Sequence, residues 1–282
     1  MRVSRWEAFF ANWPAFVAAG LLSLFVLTAL IGPPLLFLHN HCGYATQDLT
    51  ARLQPPTWKH LFGTDTLGRD ILIRLLYGFR ISMFVGLVAS LIAVVIGAVY
   101  GSVAGYFGGS TDYIMMRLVD VIYAFPILIL LVIVFSLFER NLALLMLSLG
   151  GVSWLGIARI VRGQVLMLRN EGFIDAARLL RASPAAILRR HILPNAAGPL
   201  LISATFTVPG VILSEAFLSY LGLGVQPPLP SLGTMVNDGA QVLALYPRLL
   251  LGPAVLLILS MVCLNLLGDG LRDALDPRSR KG

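Results

Sequence analysis

The chain alternates long apolar runs with short polar ones. Six stretches with little or no charge are long enough to cross a bilayer, for which about 17–25 helical residues suffice. They cover about residues 15–38, 81–106, 117–138, 142–158, 198–221 and 249–268. This pattern predicts an all-α membrane protein of six transmembrane helices. The Gly32-Pro33-Pro34 run should end or kink the first helix near its far side, because proline has no N–H to donate. That first run is too long for the apolar core of a signal peptide, and its small pair Ala18-Ala19 precedes the run rather than following it, so it reads as a retained helix.

Composition excludes the other classes. Of 282 residues, 57% are hydrophobic and only 12% charged. A soluble domain of this size cannot bury so much apolar surface in one core, and a disordered chain would not carry it. Two cysteines exclude a disulfide scaffold. By topology Cys42 should lie outside and Cys263 within the sixth span, so the two should not pair.

Six spans place both termini on one side. The net charge is +7, and seven of the 19 arginines lie between Arg159 and Arg190. The N-terminus, Arg117, that arginine-rich segment and the C-terminal tail together hold 14 basic residues, against seven on the other side. The split favours cytoplasmic termini, although the segment from 39 to 80 carries five of those seven. Basic residues beside membrane spans set orientation and meet anionic lipid, so nucleic acid is not expected as a partner.

Several residues have side chains that could carry chemistry. His39, His41 and Cys42 cluster beyond the first span, but no partner ligand or second shell is visible, so they read as loop residues at a helix end rather than a metal site. Gly151-Val152-Ser153-Trp154 lacks both a full GxSxG pattern and a histidine base in a later span, and no catalytic residue is assigned. Gly97, Gly101 and Gly105 fall on one helical face and should let another helix of this chain approach closely. Asp120 lies one turn from Arg117, as a local ion pair would. Glu215 sits inside the fifth span; lining a polar cavity and bonding to backbone at the helix end are both open for it.

The segment from 159 to 194 is the longest polar insertion on the inner side. Glu171 to Leu180 reads as a short amphipathic helix with Asn170 as N-cap, and Ser183-Pro184 as the cap and first residue of a second helix reaching about Ile192. Small residues at its centre, Ala176 and Ala177, make a knob that a soluble partner could grip. The stretch from 222 to 248, with Gly222, Gly224, Gln226, Pro227, Pro228 and Pro230, cannot form a long helix, yet its first half is too apolar for a solvated loop. It should lie against other spans as an outer gate.

Four motifs carry a resemblance. Asp175-Ala176-Ala177-Arg178-Leu179-Leu180 followed by Ile192-Leu193-Pro194-Asn195 resembles the EAA loop of binding-protein-dependent ABC permeases. His60 to Asp70 is similar to the HxxGTDxxGRD segment of the dipeptide, oligopeptide and nickel permeases. Leu218 to Gly224 resembles their segment after the fifth span, and Asn265 to Arg278 their C-terminus. The order looks most like the "C" permease of the peptide systems. Two departures stand out: the family's Glu is Asp175, and its usual Gly is Arg181, where a left-handed turn would favour Gly.

The resemblance implies a type I importer permease with a MetI-like core at 81–278, an N-terminal helix and extracytoplasmic segment at 1–80, and a coupling loop at about 159–194. It implies one half of a translocation pathway for di- or oligopeptides in a bacterial inner membrane, with nickel, a metal chelate or another small solute as the alternative cargo. The partners implied are a second permease, two cytoplasmic ATPase subunits carrying ATP and Mg, and an extracytoplasmic binding protein; this chain would hold no cofactor. Asp175, Ala176, Ala177, Arg178, Arg181, Ile192 and Pro194 would couple to the ATPase, and Glu215, Gly222, Gly224 and Gln226 would serve the pathway or gate. A stand-alone secondary transporter is the reading from another class; it would need an internal repeat and midplane charges, and neither is visible.

Overall fold

The computed structural model describes residues 12–275. Arg2, Arg5 and residues 276–281, used above for orientation and resemblance, lie outside that range. The described chain forms α1 (Trp13–Asn40), α2 (Ile71–Phe107), α3 (Gly109–Ala124), α4 (Ile127–Leu137), α5 (Leu142–Leu168), α6 (Gly172–Leu179), α7 (Pro184–Ile187), α8 (Leu193–Tyr220), α9 (Leu232–Gln241) and α10 (Arg248–Leu275). A single π-helical turn, Leu188–Ile192, joins α7 to α8. Five stretches are long and apolar enough to cross a membrane: α1, α2, α5, the run from Pro184 to Tyr220, and α10. The α3–α4 pair makes a sixth if counted as one bent span.

The spans differ from the sequence reading where polar residues find partners. α2 starts at Ile71 because Asp70 caps it: Asp70 Oδ1 accepts from the Ile73 N–H at 3.0 Å. The boundary expected at residue 80 therefore falls inside a helix. α5 runs ten residues past Ala158, to Leu168, because its arginines are neutralised on α3. The third span is not one helix but two, bent by 81°. Phe125 is extended (φ −81°, ψ 137°), as the residue before Pro126 is obliged to be by the clash of the proline ring.

Two compact units are built from non-contiguous segments. The first comprises residues 12–87, 138–146 and 209–275. Here α10 packs along α1 and α9. Ile71, Leu75, Met235 and Leu249 form a small core against Leu53 and Tyr246. α1 turns Leu24, Leu27, Leu30 and Ile31 outward, each more than half exposed, as a helix facing lipid does. Pro33 and Pro34 neither end it nor leave it open: it continues to Asn40. Each proline orphans the carbonyl four residues back, and Arg80 of α2 supplies both missing donors. Its Nε bonds the Ala29 carbonyl, and its Nη2 the Leu30 carbonyl at 2.7 Å.

The second unit comprises residues 88–137 and 147–208. Gly97, Gly101 and Gly105 lie against α5; a Cβ on Gly101 would overlap the Ala158 carbonyl, so only glycine permits this approach. The glycine face thus packs within the chain. Around it Ile157, Val161, Val165, Ile174, Ala177, Ile187 and Ile192 make one buried cluster, which fixes α6 and α7 onto the long helices.

Candidate translocation cleft and coupling surface

The first unit holds a cleft of about 460 Å³ lined by Gln47, Arg69, Arg74, Gln226, Asn237 and Asp238, and by Gly222 and the Pro227-Pro228 pair. The loop from 52 to 70 is locked before the cleft is reached. Thr64 and Asp70 form an antiparallel bridge. Gly68 has φ +71° and a Cβ there would strike the Asp48 backbone, so the turn requires glycine. Buried His60 Nδ1 meets Asp70 Oδ2 at 2.9 Å. Arg248, at the start of α10, donates to the Leu53 and Gln54 carbonyls at 2.8 and 2.7 Å.

From this base two guanidiniums are presented. Asp65 Oδ1 accepts from the Leu67 and Arg69 N–H groups, both at 2.9 Å. Asp65 Oδ2 takes Arg69 Nε at 2.7 Å and faces Arg74 Nε at 3.5 Å. Asp238 of α9 meets the same pair from the other side at greater distance, 3.3 Å from Arg74 Nη2 and 3.5 Å from Arg69 Nη2. Burial pushes the Asp238 carboxyl up from its ordinary value, against the opposing pull of Arg74 and Arg69. Removing Arg74 or Asp65, whose side chains are 4% and 7% exposed, costs about 3–5 kcal/mol, since the other charge is left uncompensated.

Glu215 departs from both expectations: it neither lines the cleft nor bonds directly to backbone. It is fully buried among hydroxyls, accepting from Ser82 at 2.8 Å and Ser219 at 2.7 Å, with the Ser231 hydroxyl close by. Those hydroxyls in turn accept the Leu232 and Val225 N–H groups at 3.2 and 3.1 Å. Glu215 therefore fixes both the turn after α8 and the start of α9, where Ser231 closes a capping box with Thr234. Gly222 (φ +76°) makes that turn, and its carbonyl accepts from Arg140 at 3.3 Å. Gly224 lies against Ser219, where a Cβ would collide. Within the stretch expected to be irregular, Leu232–Gln241 form a short, partly buried helix.

The coupling residues lie in the second unit. α6 begins after Glu171, not after an Asn170 cap as expected, and Glu171 makes no side-chain cap bond. Ser183 does cap α7, accepting from the Ala186 N–H at 3.3 Å with Pro184 as the first helical residue. The second short helix does not stop at Ile192 but continues into α8; the π turn just before Pro194 takes up the missing N–H and the bulk of the ring. Ile192 is buried and Pro194 exposed. Ala177 is buried in the chain's own core, whereas Ala176 is exposed. Asp175 pairs with Arg178 at 3.0 Å on the exposed side. Leu179 and Leu180, 85% and 84% exposed, stand beside them.

The end of α6 retains the turn that the family's glycine would make. The Arg181 N–H bonds the Arg178 carbonyl at 2.9 Å and the Ala182 N–H the Ala177 carbonyl at 3.1 Å, a Schellman pair with Arg181 itself left-handed at φ +56°. The expected Arg117–Asp120 pair is not formed: Asp120 takes Arg159 of α5 at 2.7 Å, and Arg117 turns to the Tyr113 hydroxyl at 3.2 Å. Arg162 likewise grips Asp112 with two bonds of 2.5 Å. Near the first span, His39 Nε2 donates to the Trp58 carbonyl at 3.0 Å, His41 ends α1 in a left-handed turn, and no disulfide joins Cys42 to Cys263. Sequence reasoning missed Asp238, 164 residues from Arg74. The Asp65–Arg69 spacing was its visible half.

Comparison with known proteins agrees with this architecture. The chain is 42% identical over 273 residues to the oligopeptide transport system permease protein OppC of Bacillus subtilis, covering 97% of this chain and 88% of that protein. It is 45% identical over 262 residues to the dipeptide transport system permease protein DppC of the same organism, covering 93% and 80%. It is 43% identical over 274 residues to OppC of Escherichia coli K12, covering 96% and 89%. An inward-facing structure of the MetNI methionine ABC transporter shares the fold, with TM-score 0.59 at 22% identity over 73% of this chain and 96% of that one. The family model described as "binding-protein-dependent transport system inner membrane component" matches residues 93–281. With its bent and continuous membrane-length helices and its match to that model, this multi-pass chain belongs to the family of binding-protein-dependent transport inner membrane components.

Proposed function

We propose that this chain is one of two permease subunits in an ATP-driven importer of short peptides in a bacterial inner membrane, with both termini cytoplasmic. The observation that carries the reading is the similarity, over nearly the whole chain, to permeases named for oligopeptide and dipeptide transport. The cleft between Arg69, Gln226 and Asp238 lies on the outer side and belongs to the translocation path. α6 and α7 form the docking knob for an ATPase subunit, which carries the ATP and Mg. The exposed Leu179-Leu180 pair beside the Asp175–Arg178 ion pair supports this, because an apolar patch rimmed by charge on an ordered helix end is what a soluble partner buries. An extracytoplasmic binding protein delivers the cargo.

The test is uptake of a radiolabelled dipeptide into vesicles holding this chain with the second permease, ATPases and binding protein encoded beside it. ATP-dependent uptake is expected. Uptake of nickel or a metal chelate in place of peptide would replace the cargo, and uptake by this chain alone would replace the class.

A further inference from the structure

We infer that Arg69 and Arg74 form a subsite for the carboxylate of a peptide in transit, and that Asp238 occupies it in the absence of cargo. The inference rests on the importer reading above. Three observations meet in the cleft. Arg74 is 4% exposed and lines the cleft, yet its buried Nη1 has no hydrogen-bond partner among the described residues. A guanidinium N–H withdrawn from water without an acceptor is a costly arrangement that a bound anion would relieve. The two arginines are oriented in advance by Asp65, which binds Arg69 Nε at 2.7 Å and is itself held by two backbone N–H groups. Asp238 is the loose member: its side chain is 38% exposed and its contacts, 3.3 and 3.5 Å, are long for charge-assisted bonds.

The arrangement is therefore asymmetric. Asp65 belongs to the frame, while Asp238 is an internal carboxylate that a second one can displace. An arriving carboxylate brings two oxygens to the planar forks, which match it in shape. Displaced, Asp238 moves with α9 or turns to the cleft, where it faces the ammonium end of a zwitterionic peptide. At about 460 Å³ the cleft is in the range of small-ligand pockets.

The experiment uses the purified transporter with its ATPases but without binding protein. Its thermal stability is followed against increasing Ala-Ala and, separately, Ala-Ala amide, which lacks the carboxylate. Ala-Ala should raise the melting temperature and the amide should not. Arg74→Gln should abolish the difference, and Arg74→Lys should keep part of it. Asp238→Asn, at a half-exposed position that leaves the frame intact, should lower the half-saturating Ala-Ala concentration about threefold, the competitor having lost its charge. No shift with Ala-Ala in the unmodified protein, equal shifts with both peptides, or an Asp238→Asn variant that binds more weakly would overturn the subsite. Stabilisation by peptide-free binding protein that Arg74→Gln removes would assign the arginines to an acidic side chain of that protein and overturn it as well. ATP-driven dipeptide uptake in the complete system that persists beside any of these results would leave the importer reading standing and reject only the subsite.

Discussion

The N–H of Ala182 reaches the carbonyl of Ala177 at 3.1 Å, closing the end of α6 around an arginine with φ +56°. A non-glycine residue in that region is disfavoured by roughly 1–2 kcal/mol, because Cβ crowds the following carbonyl. Arg181 is thus kept in place by the turn rather than by its own preference. Arg181→Gly should raise stability by about 1 kcal/mol, read as a higher melting temperature or as slower hydrogen exchange at Ala182. ATPase binding measured in the same variant then reports the side chain alone.

Ala176 and Ala177 look equivalent in the sequence but face opposite ways. Ala177→Trp overfills the cluster with Ile174 and Ile187 and should lower the amount of folded protein in the membrane. Ala176→Trp projects from the surface. It should leave the membrane level unchanged and reduce co-purification of the ATPase at least fivefold. Normal co-purification would remove α6 from the contact.

Glu215 is surrounded by three serine hydroxyls, each able to rotate as donor or acceptor. Glu215→Gln should therefore cost little, about 1 kcal/mol, whereas Glu215→Leu strands the hydroxyls and should cost about 3 kcal/mol or more. Hydrogen exchange at Leu232 and Val225, whose N–H groups end on Ser82 and Ser219, should rise in the leucine variant and stay protected in the glutamine one.

Asp238 gives the cleft a pH dependence. Its folded-state value is raised by burial, so the folded protein holds this proton to higher pH than the unfolded chain does. The stability it contributes is full below the unfolded value of about 3.9 and is lost as pH rises through the raised folded value. Asp238→Asn cannot titrate. The melting temperature of the unmodified protein minus that of the variant should fall as pH rises above about 4, and a difference independent of pH would contradict the assignment.

What the sequence made legible follows from range. The apolar runs placed the membrane helices because bilayer burial is a property of each segment by itself. Turn chemistry at Ser183-Pro184, and the irregular stretch after Gly222, could be read because proline and glycine act on their own backbone. Reach across the chain was not legible. Arg117 and Asp120 have the spacing of a pair, but Arg159, 39 residues on from Asp120, wins the carboxylate. Asp238 and Arg74 become neighbours only once α9 is folded back. α2 and α5 extend beyond their apolar runs for the same reason: arginines that look like helix boundaries are interior when a carboxylate or an orphaned carbonyl awaits them.

Arg80 and the two prolines of α1 also bear on how the protein is made. α1 is synthesised before Arg80, and until Arg80 arrives its Ala29 and Leu30 carbonyls have no donor; in hydrocarbon each such group costs several kcal/mol. Arg80 on its own would meet a comparable obstacle in lipid, up to about 2.5–3.5 kcal/mol at the centre of a bilayer. Each segment carries the remedy for the other's defect. The two should therefore partition from the insertion machinery as a hairpin, with α1 waiting at the water-filled interface for about 40 residues of further synthesis before either enters lipid.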